Sequence, residues 1–206
     1  EFEKISTAQI GETINKPLND LEVLKRFLPV NSQDSFKELS LLPDPLGYTH
    51  RKYQQYCNGI KVENSVYTIH SKDNSLVAMN GNFTPINNIS TTPNFDEALA
   101  LKNALKYRPA EVYIWNTPSA KLYYKSDVNI PKGEIVFIEI GGEAKLAYKF
   151  DIFALKPLFR ENIFVDANNG QILKTNSILT QCFHKPTLIA DKEKITHKEH
   201  NSDNSL

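Results

Sequence analysis

Apolar residues at Leu18, Leu21, Leu24 and Phe27 recur every three positions, which puts one stripe along a short helix that Pro29 ends. Downstream, Ser35-Phe36-Lys37-Glu38 spells a capping box, in which hydroxyl and carboxylate each satisfy a free N–H at a helix start; Leu39 to Leu42 equally suit the opening of a strand. From Leu46 to Phe83 the pattern changes to consecutive strands. Tyr48, His50, Lys52, Gln54 and Tyr56 fall on one face, with Thr49, Arg51, Tyr53 and Gln55 on the other. Asn58-Gly59 supplies the positive φ of a tight hairpin, the chain returns through Val62 to His70, and Ser75 to Phe83 adds a third strand with Asn80-Gly81 as bulge or turn.

Residues 84–93 are rich in Asn, Thr, Ser and Pro and read as a surface linker. After it the pattern predicts a helix with Asn94 as N-cap, Asp96 and Glu97 in the first turn, and Phe95, Ala98, Leu99, Leu101 and Leu105 for burial, ending before Pro109. Strands are predicted at Glu111–Trp115, Leu122–Lys125, Glu134–Ile140, Leu146–Leu155, Asn162–Asp166 and Gln171–Asn176, with Asn168-Asn169-Gly170 turning the last hairpin. Tyr113 and Trp115 read as core. One helix against antiparallel strands makes an α+β unit. From about Thr180 the chain becomes polar and reads as an extended tail.

Composition narrows the function classes. The 206 residues are 40% hydrophobic and 23% charged, an ordinary globular balance. With 24 basic and 24 acidic residues the formal charge is zero, and only residues 46–125 lean basic, with nine cations to five anions. Phosphate neutralisation needs clustered Lys and Arg, so a general nucleic-acid binder does not fit. No apolar run approaches the about 18 residues of a membrane span. The chain opens on Glu1 rather than Met, which reads as a processed or truncated product whose signal peptide is gone.

No catalytic constellation emerges. In His197-Lys198-Glu199-His200 the histidines are three apart and Glu precedes the second, whereas a zincin helix needs His-Glu-x-x-His with ligands four apart; neither a catalytic nor a metal-ligating set is read from the chain. Cys57 precedes a hairpin turn rather than a helix N-terminus that would lower its pKa, so it reads as a core thiol or one half of a disulfide with Cys182. There is no Gly-rich phosphate loop and no Gly-x-Ser-x-Gly elbow. Asn82-Phe83-Thr84 and Asn88-Ile89-Ser90 spell glycosylation acceptors of the kind that arise by chance in an Asn-rich chain.

One stretch carries a family likeness. Asp44 to Val62, which contains Gly47, His50, Arg51, Gln54, Gln55, Tyr56 and Gly59, followed by Tyr67-Thr68-Ile69-His70 and Asn80-Gly81-Asn82-Phe83, resembles the fungalysin/thermolysin propeptide domain. Arg51 directly follows His50 where many members have one residue between, and Lys61 replaces the common Pro before Val62. The second half, with Asp96-Glu97-Ala98-Leu99, Leu146 to Phe150 and Val165 to Leu173, is similar to the PepSY-type module of such precursors.

The resemblance implies two small cystatin-like α+β modules, each an antiparallel sheet with a helix. Their expected layout is an N-terminal segment at 1–45, a propeptide-like domain at 46–90, a PepSY-like domain at 91–178 and a connecting tail at 179–206. It implies a non-enzymatic proregion of a secreted or periplasmic thermolysin-like zinc endopeptidase, chaperoning and inhibiting the catalytic domain that is its partner. Zinc and calcium would belong to that partner, with no cofactor in this chain. Partner contacts are expected at His50, Arg51, Gln54 and Gln55, and in the tail at His197, His200 and Leu206; for the strand residues a buried polar network is the competing role. The alternative from another class is a free-standing secreted peptidase inhibitor or envelope adaptor built from the same modules.

Overall fold

The computed structural model describes residues 7–9, 19–73, 75–117 and 129–179. Among them, helix α1 (Asp20–Phe27) starts where Asn19 Oδ1 accepts from the Leu21 N–H at 3.1 Å, with Asp20 and Glu22 at its positive end and Lys25 and Arg26 at its negative end. Its buried face is Val23 and Leu24, backed by Phe27 and Leu28, and Leu21 falls on the exposed rim. The stripe is therefore centred one position round from the predicted one, on the side where the sheet lies.

Of the two readings open here, the strand holds over residues 34–43 and the helix does not. Strand β2 (Asp34–Pro43) pairs antiparallel with β3 (Tyr48–Cys57) along its length, so a ladder with a distant partner overrides the local capping-box signal. The Asn58-Gly59 turn, with φ of 48° and 77°, leads into β4 (Ile60–Lys72), and β5 (Ser75–Gly81) follows. A short strand unforeseen in the pattern, β1 (Thr7–Gln9), pairs with β5. Helix α1 covers one face of this half, against Tyr53, Tyr67, Ile69 and Met79.

Helix α2 (Glu97–Tyr107) is capped by Asp96, whose carboxylate accepts from the Leu99 N–H at 2.9 Å. Asn94, the expected cap, instead gives its backbone N–H, as does Phe95, to Ala167 O, because the incoming chain is anchored to the far hairpin. The contact side of α2 is built from fully buried Ala100 and Ala104, and Leu99 is exposed. Small residues at that face let the helix approach β8 (Glu143–Lys156) and β9 (Leu158–Asp166) closely. Only Val112–Tyr113 (β6) of the predicted 111–115 strand is extended; Ile114–Asn116 turns into a 3-10 helix. Tyr113 and Trp115 stack with ring centres 4.5 Å apart and lie partly buried against the core. The predicted Leu122–Lys125 strand lies outside the described residues.

The meander closes with β7 (Glu134–Ile140), β8, β9 and β10 (Ile172–Ser177), turned at the predicted Asn168-Asn169-Gly170. Phe137, Leu146, Phe150, Ile152, Ile163 and Val165 form the main core with α2.

Where two modules with sheets of their own were expected, the described strands share one large sheet. Lys61 and Val62 of β4 pair in parallel with Val136 and Phe137 of β7, and Cys57, Val62 and Ile86 from the first half are buried in the main core of the second. A mostly antiparallel sheet with few helices is the architecture; the join between its halves is a two-residue parallel contact that no sequence periodicity marks.

Candidate partner-binding face

The expected site residues separate by depth. Gln54 and Gln55 are 4% and 1% exposed. Gln54 Nε2 donates to the backbone oxygens of Gln55, Val62 and Ser65 at 3.1, 2.6 and 3.0 Å. Those carbonyls need it because β4 bulges there: Cys57 faces Ile60 and Tyr56 faces Lys61, yet Gln54 faces Val66 rather than Glu63, and Asn64 in the bulge has φ of 61°. The amide replaces ladder bonds that the bulge removes.

Gln55 does the same work between more distant segments. Its Nε2 donates to Asp34 Oδ1 at 3.0 Å and Thr84 O at 2.9 Å, while its Oε1 accepts from the Thr84 N–H at 3.1 Å. Ser65 and Thr84 hydroxyls bond at 2.8 Å beside it. At these two positions both amides point inward, held by backbone groups and, for Gln55, by the Asp34 carboxylate as well.

His50 and Arg51 remain accessible. Arg51 Nη1 donates to Asp20 Oδ2 at 3.1 Å, and the Tyr53 hydroxyl donates to the same oxygen at 2.8 Å, tying α1 to β3. The Asp20 hydrogen bond raises the Arg51 guanidinium further above its ordinary range, and burial pushes the Tyr53 phenol up. On the opposite sheet face, His50 Nε2 lies 3.2 Å from Asp44 Oδ2 and its Nδ1 lies 2.6 Å from Nδ1 of His70. Asp44 also accepts from the Leu46 and Tyr48 N–H groups at 2.8 and 2.9 Å; the Tyr48 bond is foremost in holding its carboxyl below the usual range.

The edge beside these residues is apolar. Leu41 and Leu42 of β2 stand opposite Arg51 and His50, and Leu39, Leu41, Leu42 and Leu46 are all exposed. Strand β2 has β3 as its neighbour on one side and, among the described residues, no strand on the other.

Sequence reasoning missed several residues that complete this region. Asp20, Asp34 and Thr84 carried no signal, since each gains meaning from a partner at least 21 residues away. Glu63 is likewise silent in sequence, yet its Oε1 binds Lys61 at 2.8 Å and Lys149 at 2.9 Å, crossing from β4 to β8. Cys57 is fully buried and burial pushes its thiol up, the opposite of an activated nucleophile. Cys182, His197, His200 and Leu206 lie outside the described residues. Among the described residues no group of three or more His, Cys, Asp or Glu side chains is gathered to hold a metal.

The described part is thus a sheet-based unit whose register is held by a buried glutamine knot. Residues 34–83 match the family model of the Fungalysin/Thermolysin Propeptide Motif. The chain is also similar to Thermostable neutral protease NprT of Geobacillus stearothermophilus, 28% identical over 137 residues, covering 66% of this chain and 24% of that protein. Bacillolysin of Bacillus amyloliquefaciens is 30% identical over 147 residues, covering 70% of this chain and 27% of that protein. The resemblance to a propeptide of a thermolysin-family peptidase therefore holds, and the chain spans about a quarter of the length of these curated relatives. The solved C-terminal domain of Bacillus megaterium YpeB aligns over 84% of this chain and 70% of that one at a TM-score of 0.39 and 11% identity. No helix among the described residues is long and apolar enough to cross a membrane.

Proposed function

We propose that this chain is the proregion of a secreted thermolysin-like zinc endopeptidase, acting as chaperone and inhibitor of the catalytic domain and not itself a peptidase. The observation that carries this reading is that the propeptide motif at residues 34–83 folds as one sheet with the segment after it, locked by Gln54, Gln55 and Glu63, so that it offers a preformed surface. The exposed leucines of β2, flanked by His50 and Arg51, are the surface assigned to the catalytic domain, since an exposed apolar edge in a structured domain marks an interface. Docking there stabilises the folded catalytic domain by mass action.

In this reading the segments to about residue 90 and from 91 to 178 are the propeptide-like and PepSY-like halves, and the cystatin-like likeness belongs to each half with its helix. The tail after residue 179 reaches the substrate cleft, where His197, His200 or Leu206 makes contact, and zinc and calcium reside in the partner. The test adds the chain in trans to the mature cognate peptidase and measures both inhibition and recovery of activity after denaturation. Inhibition together with an improved refolding yield is expected, and a Leu41→Glu/Leu42→Glu variant should lose both. A chain that neither inhibits nor assists refolding overturns the proposal; full inhibition without residues 180–206 overturns the tail's part alone.

A further inference from the structure

His50 and His70 are direct cross-strand neighbours on the face of the sheet that α1 does not cover. Each ring has its Nε2 engaged: His50 with Asp44 Oδ2 at 3.2 Å, His70 with Asn80 Oδ1 at 3.1 Å. Both partners are oxygens on the Nε2 side, which turns the two Nδ1 atoms toward each other. The two Nδ1 atoms lie 2.6 Å apart. Two ring nitrogens that face each other this closely can share one electron-pair acceptor, a proton or a metal ion.

We propose that His50 and His70 form a two-histidine site for a divalent transition-metal ion of the zinc class. The arrangement has the features that such ligands show elsewhere: imidazole donors, each oriented by a carboxylate or carbonyl oxygen on its other nitrogen. Bonds of about 2.0–2.1 Å at a tetrahedral angle need the two nitrogens about 3.3 Å apart, which a small opening of the rings provides. The rings meet at 72° with centres 4.8 Å apart, so the two nitrogens approach at an angle rather than across a flat stack. The His50 side chain is 31% exposed, leaving the remaining coordination positions open to water or to a side chain from a docked partner. Asp44 supplies the compensating negative charge, and Lys72 on the same face is engaged over the Tyr48 ring at 4.8 Å. The site is a property of this chain alone and stands or falls separately from the propeptide reading.

The experiment titrates the full chain with zinc chloride, following binding by calorimetry and the ring nitrogens of His50 and His70 by long-range nitrogen–proton NMR. One ion per chain is expected, with the Nδ1 resonances of these two rings moving and saturating together. Affinity should fall about tenfold or more in His50→Gln and in His70→Gln, and about tenfold in Asp44→Asn, which keeps a ring partner but removes its charge. His197→Gln/His200→Gln, which removes the tail histidines, should leave this binding in place. Because the ring resonances are read in the unaltered protein, the result does not hang on whether a variant folds. Nδ1 resonances that stay put up to millimolar zinc, the pair then holding a proton only, overturn the proposal. So does affinity that survives in the His50→Gln/His70→Gln double variant.

Discussion

The Gln55→Leu substitution isolates the buried glutamine knot from everything else the motif does. Leucine fills nearly the same volume, so the cavity contribution is small, and what changes is hydrogen bonding. The variant leaves the Thr84 N–H without its acceptor and the Thr84 carbonyl without its donor, both in a residue only 5% exposed. Asp34 loses a donor too, but keeps the Asn31 N–H at 3.0 Å. Two stranded backbone groups at about 1–3 kcal/mol each amount to about 2–6 kcal/mol, against a typical total of about 5–15. A loss near 3–4 kcal/mol is the expected value, whereas Lys52→Gln, exposed on the same strand, should stay within about 0.5 kcal/mol. Urea unfolding followed by circular dichroism measures the difference, and hydrogen exchange at the Thr84 amide shows where it arises. A Gln55→Leu variant that loses less than about 1 kcal/mol and keeps the Thr84 amide protected would refute the structural role assigned to this side chain.

Two other perturbations test the join between the halves and the last hairpin. Burial pushes the Glu63 carboxyl up, but hydrogen bonds from Lys61 and Lys149 outweigh it and the net direction is down. Its stabilisation is therefore fully present above the unfolded value of about 4.3 and is lost as pH falls through the lower folded value. The stability advantage of the parent over Glu63→Gln, large at neutral pH, should shrink progressively below about pH 4 in urea titrations; an advantage independent of pH would contradict the ion cluster. At Gly170 φ is +75° and an added Cβ would collide with the Phe95 ring, whereas at Gly59, φ +77°, it meets nothing within 4 Å. Gly170→Ala should cost at least about 2 kcal/mol and Gly59→Ala about 1, read as the difference in thermal midpoints; equal shifts would mean that Phe95 moves freely out of the way.

What could be read along the chain was whatever is decided locally. The Asn58-Gly59 hairpin, the β7 limits at Glu134–Ile140 and the turn at Asn168-Asn169-Gly170 all follow from turn chemistry and alternation, and all are in the structure as predicted. The errors sit where a distant partner decides. Residues 34–43 carry a helix start signal beside leucines that equally suit a strand, and β3 decides for the strand. Asn94 has the right side chain for a cap, but Ala167 holds its backbone two residues short of the helix. Among the site residues, the motif singled out Gln54 and Gln55, but their type alone could not say that they face inward.

The histidine pair shows the limit most clearly, because its legibility depends on three residues of register. Counting back from the Asn58-Gly59 turn without a bulge, with Cys57 facing Ile60, would set His50 opposite Tyr67. The bulge over Val62 to Ser65 moves the partner on to His70, and the bulge persists because the Gln54 amide satisfies the Val62 and Ser65 carbonyls it strands. The buried glutamine and the exposed histidine pair are thus one device. Gln54 fixes the register, and the register decides whether two imidazoles meet. A Gln54→Leu chain that slips to the unbulged pairing would separate His50 from His70, so zinc affinity at the pair should fall in that variant even though neither ligand has been touched.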